Sequence, residues 1–154
     1  MRIPDEKITE IMTEVINRFL IPKFIELGMN ASGKWLETLH GYGENGIGYI
    51  RGMNYTKFLA DGRAPGKMPP IEPLVQWVGH KFGVFGNEAR SAAFAIAKKI
   101  EREGTDYYPD GTDLVDILSS EEVRQFVYGQ FTGFIRLEVA NELKRITWQT
   151  MSYA

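Results

Sequence analysis

Residues 63–70 (RAPGKMPP) place three prolines and a glycine in eight positions. Proline lacks a backbone donor and fixes φ, so neither a helix interior nor a central strand accepts such a run. The segment is a loop of fixed shape. Regular structure must be built separately on either side of it.

On the N-terminal side, Ile8, Ile11, Met12, Val15, Ile16, Phe19 and Leu20 recur at three- and four-residue steps. That spacing predicts a helix over roughly 4–28. Pro4 suits its first turn, and Asp5 and Glu6 complement the positive end of its dipole. Pro22 removes one backbone donor and predicts a kink or break. The period then changes. Residues 34–40 and 47–53 read as two short strands around 41–46 (GYGENG). Asn45-Gly46 is a strong turn dipeptide, so the segment predicts a β-hairpin with a flexible tip. Residues 55–62 form a short helix ending at Gly62.

On the C-terminal side, Pro73 opens a helix that Gly83 closes. Asn87 caps a further helix over 88–103, striped by Ala92, Ala93, Ile96, Ala97 and Ile100, with Gly104 at its end. Residues 105–113 (TDYYPDGTD) are a turn-rich connector, and 114–118 read as a short strand. Ser119 with Glu122 makes a capping box, and Leu118 with Val123 a hydrophobic staple. The helix they start runs over 120–147 with its stripe at Val123, Phe126, Val127, Phe131, Phe134, Leu137, Leu143 and Ile146. The expected fold is α+β. Four or more helices, long at both ends of the chain, pack on a small antiparallel sheet containing the hairpin. Residues 1–147 read as a single domain and 148–154 as a tail carrying Trp148 and Tyr153.

Composition narrows the function. Nine Phe, seven Tyr and three Trp can build a core, so disorder is excluded as the main state. The absence of Cys excludes disulfide scaffolds, thiol nucleophiles and Cys-ligated metals. Eighteen Lys and Arg against 20 Asp and Glu leave a net charge of −2. A dedicated nucleic-acid binder carries a basic excess, so DNA is at most a local, non-specific contact. No apolar run reaches the ~18 residues of a membrane span, and the acidic N-terminus is no signal peptide. These features predict a soluble protein, intracellular when made.

The motifs that look chemical have plainer readings. Gly41-x-Gly43-x-x-Gly46 matches a dinucleotide fingerprint, but no helix follows to hold a pyrophosphate. It reads as a hairpin tip. Gly62 to Met68 is one residue short of a P-loop, and Met68 stands where a magnesium-binding hydroxyl is needed. Asp106, Asp110, Asp113 and Asp116 surround Gly111, but their spacing is irregular and the twelfth-position Glu of a calcium loop is missing. They read as solvated turn carboxylates; weak surface calcium binding, or a metal-dependent hydrolase, is the competing reading. His40 and His80 sit in no catalytic motif. Arg90, Lys98, Lys99 and Arg102 give one helix a basic face, interleaved with Glu101 and Glu103. No catalytic, cofactor or metal residues are assigned.

A longer pattern is more specific. It runs Tyr55-x-x-Phe58-Leu59-x-x-Gly62-Arg63-x-Pro65-Gly66-Lys67-x-Pro69-Pro70, then Ile71 and Val75-Gln76-Trp77-Val78-x-x-Lys81-x-Gly83. It continues with Ala89-Arg90-Ser91-Ala92-Ala93-Phe94-x-Ile96-x-x-x-Ile100 and Glu103-Gly104-Thr105. Over roughly residues 31–105 the chain resembles small tailed-bacteriophage tail-completion, neck or minor tail proteins. The resemblance implies a non-enzymatic virion protein at the head–tail junction, made in the bacterial cytoplasm. It implies a ring of six or twelve copies that lines or seals the genome-exit channel and contacts portal, adaptor or tail proteins. The alternative is a transient tail-assembly factor or chaperone absent from the finished virion.

A ring subunit needs unlike patches that meet on neighbouring copies. The two Gly/Pro-rich loops and the aromatic tail supply candidates: Tyr42, Asn45, Arg63, Pro65, Lys67, Pro69, Pro70, Trp148 and Tyr153. The proline-rich loop loses little entropy on docking. The glycine-rich one can order on contact.

Overall fold

The computed structural model describes residues 2–151, excepting the side chains of residues 149 and 150. The fold is α+β, mostly helical with a small antiparallel sheet. The N-terminal rod comprises α1 (Asp5–Val15), a π-helical turn (Ile16–Leu20) and α2 (Ile21–Glu26). Pro22 does not break it. The proline sits in the first turn of α2, and the π turn before it shifts the hydrogen bonding, so the Ile21 N–H donates to the Ile16 carbonyl.

Residues 34–38, read above as strand, form the short helix α3 (Lys34–Thr38). Tertiary packing decides this. Trp35 is buried with its ring centroid 4.4 Å from that of Phe24, and its indole N–H donates to Thr56 Oγ1 at 2.9 Å. The hairpin therefore begins later, with β1 (His40–Glu44) and β2 (Ile47–Arg51) paired antiparallel in the register Tyr42 opposite Tyr49. Asn45 and Gly46 both take positive φ, 53° and 82°. That is the two-residue turn whose twist suits a hairpin.

The hairpin lies across α1, and its glycines make that possible. A Cβ on Gly41 would stand 2.6 Å from Met12 Cβ, one on Gly43 2.7 Å from Ile8 Cβ, and one on Gly48 2.7 Å from Met12 Sδ. At Gly41 and Gly43 the sheet backbone lies directly on the helix, and at Gly48 it rests on the Met12 side chain. Gly43 N–H donates to Thr9 Oγ1 at 2.8 Å, and the Asp5 carboxylate accepts from Asn45 N–H and Gly46 N–H at 3.1 and 2.9 Å. The segment expected to be a flexible tip is thus strand paired on one side and a turn anchored on the other.

Helix α4 (Thr56–Asp61) leads into the proline-rich loop, followed by α5 (Ile71–Phe82) and α6 (Gly86–Glu103). Asn87 lies inside α6 rather than capping it; Phe85 occupies the cap position. The two helices share a cluster of Val78, Ala89 and Ala93, where alanines allow close approach. The larger cluster joins Ile16, Leu20, Phe24, Trp35 and Leu114. Leu114 is fully buried from a turn, and Asp116–Ser119 is a 3₁₀ turn, so the expected strand at 114–118 does not form. One buried side chain from a turn meets the packing need that a strand would have met.

The last helix, α7, spans Glu121–Met151. Its cap is Ser120, whose Oγ accepts from Val123 N–H at 3.3 Å. The cap therefore stands one residue beyond the capping box expected at Ser119. The helix continues through 148–151, which were expected to be tail.

Candidate protein-interaction surfaces

The nine residues singled out for interaction do not form one surface. Tyr42 is half-buried on the outer hairpin face, stacked on Tyr49 at 5.0 Å, with its hydroxyl accepting from Arg51 Nη2 at 3.1 Å. His40 lies 6.1 Å from Tyr42 on the same face. Asn45 is held at the turn by Asp5.

The proline-rich loop is tied down at its start. Arg63 N–H donates to Thr105 Oγ1 at 2.9 Å, Thr105 N–H returns to the Arg63 carbonyl at 3.0 Å, and Gly66 N–H donates to the Glu101 carbonyl at 2.7 Å. Gly104 permits this strap, since a Cβ there would meet the Arg63 carbonyl at 2.6 Å. Arg63 also stacks over Phe58 at 5.4 Å. Pro65, Lys67 and Pro70 are exposed, but Pro69 is buried and so acts in folding rather than docking. Trp148 lies on α7; Tyr153 lies outside the described residues.

The charged clusters are neutralised internally. Arg90 pairs with Glu72 at 2.7 Å, Lys98 with Glu101 at 2.8 Å, Lys99 with Asp106 at 2.6 Å, and Arg102 with Glu103. The hydrogen bond from Lys99 to Asp106 raises the lysine above its ordinary pKa. Two of the four clustered aspartates are thereby engaged, because Asp113 pairs with Lys23 at 2.6 Å. That hydrogen bond holds the Asp113 carboxyl below the usual carboxylate range and raises Lys23. Among the described residues no three of His, Cys, Asp and Glu converge as a metal site. No described helix is long and apolar enough to cross a membrane.

Apart from Trp148, the surface that sequence reading missed is on α7. Val123 is buried and Phe126, Val127, Phe131 and Phe134 are half-buried. Phe126 meets Phe19 edge-on at 5.5 Å, with Arg18 5.1 Å over its ring. Packing ends at Phe134. From Ile135 to Trp148 every residue is exposed, including Leu137 (59%), Leu143 (60%) and Trp148 (76%). The expected apolar stripe is therefore buried for its first half only. The opposite side of α7 carries a second stripe, Tyr128, Thr132, Ile135, Val139, Leu143 and Ile146, at steps of four, three, four, four and three, so Leu143 and Ile146, expected in the first stripe, belong to this one. Tyr128 at its start is 73% exposed. Glu138, Val139, Glu142 and Leu143 border a shallow depression on the helix surface. The signal was legible as apolar residues outside the first stripe.

Further exposed aromatic residues are Phe82 and Phe85 at the α5–α6 corner and, farther along α6, Phe94, which shares a shallow depression with Ile71. Comparison of the chain with protein-family models, with curated proteins and with solved structures gives no match.

Proposed function

We propose that this chain is a non-enzymatic structural protein of a tailed-phage virion, an oligomeric ring component of the head–tail junction that lines or seals the genome-exit channel. The observation that carries the proposal is the far half of α7, an exposed helix rich in Leu, Ile, Val, Trp and Met. Such a helix is the mark of an element that is buried only in an assembly. The tail-completion resemblance supports the reading from a separate part of the chain, because its residues build α4, the strapped loop, α5 and α6 as consecutive elements. The internal pairing of Arg90, Lys98, Lys99 and Arg102 fits a wall past which DNA slides, since unpaired cations would grip phosphate. Portal, adaptor or tail proteins are the expected neighbours.

Quantitative mass spectrometry of purified virions tests this. The expected result is the chain at six or twelve copies per particle. Its presence in assembly intermediates but not in finished virions would instead establish the transient-factor alternative. Its absence from both would remove the proposal.

A further inference from the structure

We propose that the outer edge of β2 pairs with β2 of a second copy, antiparallel about a two-fold axis at Tyr49, to make a four-stranded sheet in the free protein. The inference goes beyond the ring reading above and is independent of it, because a two-fold contact is not the one repeated round a cyclic ring.

The hydrogen-bond parity of the hairpin decides which edge is open. In an antiparallel pair, alternate residues turn their N–H and C=O away from the partner strand. Gly43 is such a residue on β1, since its N–H donates to Thr9 Oγ1 on α1. Gly48 stands opposite Gly43, and the next outward pair is Gly41 and Ile50. Helix α1 thus closes the edge of β1. On β2, Gly48 and Ile50 turn their backbone groups outward, and no hydrogen bond among the described residues takes them up. Folded proteins blunt such an edge with lysine, proline or a bulge. Residues 47–51 (IGYIR) carry no lysine or proline, and their register with β1 is unbroken. The edge is built to accept another extended strand.

The strand also fits its own image. Only a register centred on Tyr49 overlaps all five residues of β2 in both copies. Gly48 then exchanges both backbone bonds with Ile50 of the other copy, at each end of the axis. Tyr49 meets Tyr49 of the other copy at a non-bonded position, where side chains approach closest. Tyr42 already stacks on Tyr49 at 5.0 Å, so a single row of four tyrosines crosses the sheet. Charge is complementary as well. Arg51 stands opposite the other copy's Ile47, whose neighbour on β1 is Glu44. Arg51 of one copy and Glu44 of the other therefore share a row two strand spacings, or about 10 Å, apart at both ends, and no like charges are opposed. Five residues a side fall below the roughly 20–30 of a standard interface, so the pair is weak and forms at high concentration.

The full chain tests this by light scattering and amide hydrogen exchange, from micromolar concentration to about 1 mM. The expected result is a monomer–dimer equilibrium. Amide exchange at Gly48 and Ile50 should slow as the dimer forms, while Gly43, already bonded to Thr9, should not change. Ile47→Lys puts a lysine opposite the other copy's Arg51 and should weaken the dimer about tenfold. Within its own hairpin that lysine faces Glu44, so the monomer should keep its fold, which circular dichroism checks. A chain still monomeric at about 1 mM would overturn the inference and leave the edge to an extended strand of another protein. A dimer or larger ring in which those two amides exchange as before would also overturn it. So would a dimer that Ile47→Lys leaves unchanged, since the strands would then not meet in this register. The junction role survives each of these results, because virion composition decides it separately.

Discussion

Adding one methyl group at Gly43 should unseat the hairpin. An alanine Cβ there would lie 2.7 Å from Ile8 Cβ and in collision with the Asp5 backbone carbonyl. Neither can swing away, because Ile8 is buried in α1 and the carbonyl belongs to its first turn. Overpacking of this kind costs about 1–3 kcal/mol. Lifting the strand also lengthens the hydrogen bond from Gly43 to Thr9, worth about 1 kcal/mol. Gly43→Ala should therefore destabilise the protein by about 2–4 kcal/mol, or roughly 5–15 °C in Tm for a chain of this size. Gly129→Ala is the internal control. It lies within α7 with nothing inside 4 Å of the new methyl, so the same substitution should stabilise by about 0.5–1 kcal/mol. Both are read by urea unfolding followed by circular dichroism. A Gly43→Ala protein within about 0.5 kcal/mol of wild type would refute backbone contact between sheet and helix.

Further substitutions test other contacts. Asp5→Ala should cost about 1–2 kcal/mol and speed amide exchange at Asn45 and Gly46, its two donors; unchanged exchange there would mean the turn holds itself. Phe131→Ala should cost about 1–2 kcal/mol in denaturant, below the ~3–5 of a fully buried Phe, because the ring is half-buried. Asp113 has a lower pKa folded than unfolded, so its pairing with Lys23 stabilises the protein above the usual carboxylate range and is lost as pH falls through the folded value. Asp113→Asn should flatten the acid limb of a Tm–pH curve, and an unaltered limb would deny the pair that role. Pro69→Ala should lower Tm while Pro70→Ala should not, since only Pro69 is buried; equal effects would contradict the strapped loop.

Local chemistry made much of the fold legible. Asn45-Gly46 placed the turn, Gly62, Gly83 and Gly104 placed helix ends, and the spacing of Ile8, Ile11 and Val15 placed the buried face of α1. Apart from the caps misplaced by one or two residues at Ser119 and Asn87, the errors share one cause, which is contact across long sequence separations. Trp35 is helical because Phe24 and Thr56 hold it, and no window around 34–40 contains either partner. Leu114 resembles a strand residue because both settings bury it. The glycines at 41 and 43 suggested mobility, whereas with Gly48 they let α1 approach. Apart from Trp148 and Tyr153, interaction residues were sought in loops, which the structure ties down through Asp5, Thr105 and Glu101. The exposed element proved to be a helix, whose apolar residues resemble core until the end of the surrounding chain is known.

The π turn before Pro22 has a consequence for how one helical rod serves two partners. Ile8 and Met12 meet the hairpin, while Ile16, Leu20 and Phe24 belong to the cluster around Trp35 and Leu114. In an unbroken α-helix, Leu20 and Phe24 would stand roughly 140° and 180° round the axis from Val15. The wider turn takes back part of that rotation and lets Val15 and Ile16, adjacent in sequence, both be buried. The rod thus works as two helices of different phase on one axis, with the offset set by a single residue. If this turn relaxed to an ordinary α-helix with Asn17 retained, the second half would rotate by about 100° out of step with the partners it was built to face.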